Sequence, residues 1–142
     1  MEPNTVRIVQ KCTFECIRQQ VGLVEVAGLL KAYDFALRHK DEPPTVMWLF
    51  SVSSLIEPYK ANRYRQTPVT FPDMSTAIDA SLVPDRINGL WEVMHYATPT
   101  EFTKAFLDIH PFEDGNGRTA FVLINWLNKT LPDPVSLPDY YN

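Results

Sequence analysis

The five consecutive apolar residues Ala120-Phe121-Val122-Leu123-Ile124 constrain this chain more than any other stretch. No charged residue separates Arg118 from Lys129, so a helix over 117–129 would be apolar on nearly every side and has to lie at the centre of the fold. The helix in front of it carries the strongest start signal in the chain. Thr98 suits the N-cap, Pro99 the first helical position, and Glu101 at N3 completes a capping box. Phe102, Ala105, Phe106 and Ile109 then form its buried stripe and deliver His110 at its end. The chain must therefore turn tightly, beside its own core, between His110 and Gly117.

The rest of the chain supplies helices to surround that centre. Leu23, Val26, Ala27, Leu30, Tyr33 and Leu37 line one face of a helix that should stop before Pro43-Pro44, because proline disfavours helical geometry in the residue preceding it. Val46, Leu49, Phe50, Ser53 and Ile56 mark a second helix, ended by Pro58. A third opens at Pro84, with Ile87, Leu90, Trp91 and Met94 at helical spacing. Residues 5–18 show no clean period and receive no assignment. Residues 62–71 break the helical period with β-branched and aromatic residues, and Pro68 would confine a strand there to an edge; an extended flap or short hairpin is expected. Residues 132–142, with three prolines, read as a terminal tail. The expected fold is all-α: one domain over residues 1–142, five helices and a short β-hairpin flap.

At 142 residues the chain is long enough for a core of its own, and 45% hydrophobic content marks it as globular. A net charge of −4 and the lack of any Lys/Arg run argue against a nucleic-acid partner. No stretch has the length of a membrane helix, and residues 1–20 lack the apolar segment of a signal peptide, so no membrane partner is expected, and a cytoplasmic location or delivery into a host cell without a classical signal peptide. Cys12 and Cys16 are too few for a disulfide framework, and their spacing fits neither a zinc knuckle nor a thioredoxin motif; free thiols are the better reading.

The chemistry concentrates in His110-Pro111-Phe112-Glu113-Asp114-Gly115-Asn116-Gly117-Arg118. Gly115 and Gly117 permit backbone conformations closed to other residues, so successive N–H groups can converge on an anion. The helix that starts there adds unpaired donors and the positive end of its dipole. Arg118 is unfavourable at a helix N-terminus unless an anion accompanies it, and it offers a bidentate phosphate partner. Asp114 would repel a bare phosphate, a conflict that a bridging Mg²⁺ removes. His110 can face the same point as a general base. Together these parts read as phosphoryl or nucleotidyl transfer. A calcium loop fails, because aligning Asp114, Asn116 and Gly117 with it places Phe112 and Leu123 at ligand positions. A Walker A loop is absent.

His-Pro-Phe-x-Asp-Gly-Asn-Gly-Arg resembles the signature of the Fic (Fido) family, small helical domains that usually transfer AMP from ATP to a hydroxyl of a target protein. The resemblance covers about residues 45–130. It implies that His110 takes the proton from the target hydroxyl and that Asp114 holds Mg²⁺. It further implies that Gly115, Asn116 and Gly117 form the anion hole for ATP phosphates, that Arg118 contacts them, and that Phe112 is the buried anchor of the loop. The segment Tyr64, Arg65, Gln66, Thr67, Pro68, Val69, Thr70 to Phe71 resembles the family's flap, which would receive the target backbone by strand addition. The family pattern continues to a second arginine, and this chain has Phe121 there. The death-on-curing (Doc) toxin branch lacks the same arginine and phosphorylates its target, but carries Ala-Asn-Lys in place of Gly-Asn-Gly. AMP transfer therefore ranks first, phosphate transfer second, and a non-catalytic Fic-like binding module stands as the alternative.

The family's inhibitory pattern, [S/T]-x-x-x-E-[G/N], is approached by Ser53 to Glu57, but Pro58 follows. Glu57 reads as a solvated helix end, so any restraint on activity would come from a separate, antitoxin-like partner. His95 reads as a helix-end or core residue, and His39 as favourable at a helix C-terminus. Trp48, Trp91 and Trp126 read as core packing.

Overall fold

In a computed structural model, which describes residues 1–140, six α-helices follow one another: α1 (Thr5–Arg18), α2 (Leu23–Arg38), α3 (Val46–Ile56), α4 (Val83–Glu92), α5 (Pro99–Ile109) and α6 (Asn116–Leu127). Single 3₁₀ turns flank α4, at Ala80–Leu82 and Met94–Tyr96. The fold is all-α, as the periodicity predicts. Helix α6 is its centre: Ala120, Phe121, Val122, Leu123, Ile124 and Trp126 are all buried, and α1, α2, α3 and α5 pack against it. None of the helices among the described residues is long and apolar enough to cross a membrane.

Helix α5 starts as its capping box dictates. Glu101 N donates to Thr98 Oγ1 at 3.1 Å, and Thr98 N donates to Glu101 Oε1 at 3.1 Å. Trp48 and Trp126 stack at 5.7 Å, His39 caps α2 beside Trp48, and Trp91 packs on Phe102, so the tryptophans are core residues as expected. His95 is exposed in the turn after α4. Cys12 and Cys16 are buried free thiols, and burial pushes Cys12 up to about 12.

Four expectations need correction. Residues 5–18 form a sixth helix, hidden from periodicity because the buried face of α1 reads Ile8, Cys12, Glu15, Cys16. Glu15 is fully buried there and accepts from Leu137 N at 3.1 Å and from Gln19 Nε2 at 3.3 Å. In α2 the buried face is Leu29, Ala32, Tyr33 and Ala36, while Leu23 is 84% exposed and Ala27 faces solvent. Val26, Leu30 and Leu37 of the expected face still pack against the core. Gly28 is where α2 meets the backbone of α3, so closely that a Cβ would lie 2.9 Å from Leu55 O.

The expected tail is the third correction. As far as residue 140 it is a strap across α1 and α6, and residues 141–142 lie outside the described residues. Arg18 donates to Leu137 O at 2.8 Å, Lys11 to Ser136 Oγ at 2.9 Å, and Asn125 Oδ1 accepts from Val135 N at 2.8 Å. The fourth concerns the flap. A hairpin-like turn does form, but later than expected: Ala77 N donates to Val69 O at 2.9 Å, Phe71 N to Ser75 O at 2.8 Å, and Thr70 and Thr76 form one antiparallel bridge. Tyr64 and Arg65 fall outside it and face inward, Tyr64 against Phe50 at 4.8 Å and Arg65 at 2% exposure.

Candidate functional site

The loop between α5 and α6 is held from inside. Phe112 is fully buried among Phe50, Tyr64 and Phe106. Asn116 reads both faces of the Phe112 peptide: its Oδ1 accepts from Phe112 N at 3.0 Å and its Nδ2 donates to Phe112 O at 2.9 Å. The Asn116 side chain is thus committed to the loop, and only its backbone N–H is left to face an anion. His110 ends α5 in the left-handed conformation, at φ 53°, and its N–H still donates to Phe106 O at 3.0 Å. A non-glycine residue in that region is strained and recurs at functional sites.

The two glycines serve different purposes. Gly115 sits at φ 81°, and a Cβ there would lie 3.1 Å from both Glu57 Cγ and Ile56 Cγ2. Gly117 has ordinary helical geometry, which corrects the expectation of a special backbone. Its lack of a side chain makes room for Gln19, whose Oε1 would be 2.6 Å from a Cβ. Gly117→Ala must push the Gln19 amide off its bond to Glu15, a loss of about 0.5–1.5 kcal/mol. The better helix propensity of alanine, about 1 kcal/mol, roughly offsets that loss, so stability is expected to stay nearly unchanged. Gly115→Ala is expected to cost at least about 1–2 kcal/mol from the left-handed backbone alone. Urea melts of the two variants check the contrast.

At the start of α6 the first backbone hydrogen bond runs from Thr119 N to Gly115 O at 2.9 Å, and no side chain caps the helix. The N–H groups of Asn116, Gly117 and Arg118 precede that bond, so they form the donor cluster that an anion requires. Arg118 is 1% exposed and paired within the chain: Nη1 meets Glu57 Oε2 at 3.0 Å and Nη2 meets Asp114 Oδ1 at 3.3 Å. Glu57 is therefore no solvated helix end. Its side chain is only 18% exposed, and the burial of Arg118 requires a counter-charge there. Arg118 Nε, buried, has no partner.

Asp114 is half-exposed, and its Oδ1 also accepts from Gly115 N at 2.7 Å. Among the described residues no group of three or more His, Cys, Asp or Glu side chains could hold a metal ion. A Mg²⁺ bound by one carboxylate, with phosphates and water completing the shell, needs no such group, and Asp114 meets that requirement.

His110 is half-buried, with its ring edge-on to Phe71 at 5.6 Å. Burial lowers its pKa below the usual histidine value, and the Arg65 cation lowers it further, while a Leu107 carbonyl and Asp114 act the other way. The neutral imidazole, the form able to accept a proton, is thereby favoured at neutral pH. A cleft of about 280 Å³ joins His110 to Gly117, with Phe71, Leu107, Leu137 and Tyr140 among its walls. A larger cleft of about 350 Å³ lies at the other end of α6, between His95 and Trp126, and no residue of the loop lines it.

The structure thus brings His110, Asp114, Gly117 and Arg118 together at one end of α6, with Val69 and Thr70 on the hairpin near Phe71. Gln66, Thr67 and Pro68 are exposed and lead into that hairpin. Sequence reasoning missed Gln19, read Glu57 as a solvated helix end and placed Arg65 on the outer flap, whereas all three shape the site from inside. Arg65 lies in a segment without periodicity, so no local pattern marks it as internal.

Comparison with known proteins bears on the family and the fold. The model of the Fic/DOC family matches residues 54–128. Fic-1 from C. elegans (residues 134–508) superposes with a TM-score of 0.59 at 23% identity, over 80% of this chain and 38% of that one. A Fic domain containing signaling protein from Bacteroides thetaiotaomicron VPI-5482 superposes with a TM-score of 0.54 at 22% identity, over 72% of this chain and 45% of that one. This chain thus spans less than half the length of either structure. Curated protein sequences yield no match.

Proposed function

This chain belongs to the Fic/DOC family, and we propose that it is a Mg²⁺-dependent transferase that moves AMP from ATP to a Tyr, Thr or Ser hydroxyl of a target protein. One observation carries the reading: a histidine kept neutral by burial opens onto the same cleft as the uncapped N-terminus of a buried helix. In this scheme the target lies along the hairpin at Val69–Ala77 and its hydroxyl approaches His110. The imidazole takes the hydroxyl proton as the oxygen attacks the α-phosphorus, and the bond to pyrophosphate breaks. The N–H groups of Asn116, Gly117 and Arg118 bind the phosphate oxygens, and the apolar walls of the cleft receive the nucleoside. Asp114 would hold Mg²⁺, which supplies charge neutralisation for the phosphates. For Arg118 to contact a phosphate, it must share or exchange its Glu57 partner. A cytoplasmic location, where ATP is at hand, and a separate inhibitory partner go with this reading.

Phosphate transfer is the second reading, favoured by one residue. Phe121 is fully buried with its ring 5.8 Å from Tyr33, so position 121 offers core packing and no cation for a γ-phosphate. ATP labelled separately at the α and γ phosphates, incubated with Mg²⁺ and a cell extract, separates the readings. Protein-bound α label is the expected result. γ label alone would assign the chain to phosphate transfer, and no label with ATP binding intact would leave a binding module.

A further inference from the structure

Arg65 and Arg118 are the largest fully buried side chains, and the guanidinium of Arg65 is spent on main-chain carbonyls from three separate segments. Nε donates to His110 O at 2.7 Å, and Nη2 donates to Ile78 O at 2.6 Å and to Ile109 O at 3.3 Å. Nη1 donates to Thr67 O at 2.8 Å, and the Arg65 backbone N–H donates to Pro111 O at 2.8 Å. Thr67 and Ile78 are the two feet of the hairpin that closes at Val69 and Ala77. Ile109, His110 and Pro111 are the end of α5, the candidate base and the residue after it.

We propose that Arg65 is a positioning residue that clamps both feet of the hairpin to the backbone of His110, so that a segment docked on the hairpin meets the imidazole at a set distance. The functional half of this inference rests on the transferase reading; the clamp itself does not. A buried cation among neutral carbonyls is costly, since desolvation is only partly offset by dipoles and by the field of Asp79. A core that needed only filling would hold an apolar residue there. What an arginine adds is a rigid planar fork, able to reach acceptors in several directions at once, which the single ammonium of lysine cannot do. His110 also needs such support, because its left-handed backbone persists only where its surroundings over-determine it. Arg65 touches no reacting atom; it acts through His110.

The clamp is tested on the full chain without nucleotide, by amide hydrogen exchange in Arg65→Met and Arg65→Lys. Protection of the Phe71, Ala77 and His110 amides is expected to fall by about tenfold or more in Arg65→Met while α2 and α6 keep theirs, with Arg65→Lys restoring only part. Loss spread evenly over α2, α6 and the hairpin would overturn the proposal and make Arg65 a general core staple, and unchanged protection would also overturn it. Should Arg65→Met fail to fold, the wild-type guanidinium decides by NMR: slow Nε–H exchange with restricted Nη rotation supports the clamp, and free rotation sinks it. In kinetics with α-labelled ATP, Arg65→Lys is expected to lower kcat and leave KM for ATP unchanged. A wild type that transfers no label counts against the transferase reading alone, because the exchange result stands without it.

Discussion

Replacing His110 by asparagine is expected to slow label transfer from ATP to protein by about 10²–10⁴-fold, the usual contribution of a positioned general base. Asparagine is the informative replacement because it tolerates the left-handed backbone that His110 adopts, which alanine does not. Nucleotide binding should persist, since the donors assigned to phosphate lie on α6. Retention of full activity in His110→Asn would remove the histidine from the chemistry. The wild-type rate should also depend on pH in a particular way. The pKa of His110 is lowered by burial and by Arg65, so activity should stay level as pH falls past the ordinary histidine value of about 6.5 and drop only below it. The same shift has a consequence for stability. The unfolded chain binds a proton at His110 more readily than the folded one, so His110 lowers stability as pH falls from about 6.5 through its folded pKa. In His110→Asn that part of the acid sensitivity should vanish.

Asn116→Ala is expected to be the most damaging conservative change in the loop. It would orphan both the N–H and the C=O of Phe112, a fully buried residue. At about 1–3 kcal/mol for each unsatisfied buried group, the loss is about 2–6 kcal/mol, a large part of the ~5–15 kcal/mol that holds a typical domain together. The urea midpoint should fall accordingly, with little change in slope. Activity should fall too, because Asp114, Gly115 and the start of α6 hang on the same lock. A midpoint equal to that of the wild type would mean that the loop is held by Phe112 packing alone.

Much of the fold was legible in the chain because the strongest local signals agree with the tertiary structure. The Thr98–Glu101 capping box starts α5 where it should, and the apolar run at 120–124 lies at the centre. The failures share a physical origin. Helix α1 went unseen because its buried face includes Glu15, whose carboxylate is satisfied by Leu137 N, a residue 122 positions away. The α2 face was right at Val26, Leu30, Tyr33 and Leu37 and wrong at Leu23 and Ala27, and it omitted Gly28, which is invisible to a hydrophobicity pattern yet is where α3 comes nearest. The terminal strap looked like a tail because its anchors are backbone groups paired with distant side chains.

At the site the division is sharper. Residues 110–118 alone determined that a histidine, a carboxylate, a glycine-flanked turn and an arginine would sit within one short loop, because nine consecutive residues cannot be far apart. Only the tertiary structure decided what those groups touch. It gave Arg118 the carboxylate of Glu57, turned the Asn116 side chain onto the loop itself, set Gln19 against Gly117, and moved Arg65 from an assumed outer flap to the interior beneath His110. Each of these depends on contacts between residues far apart in the chain, where burial makes an unpaired charge or peptide group too costly to leave alone.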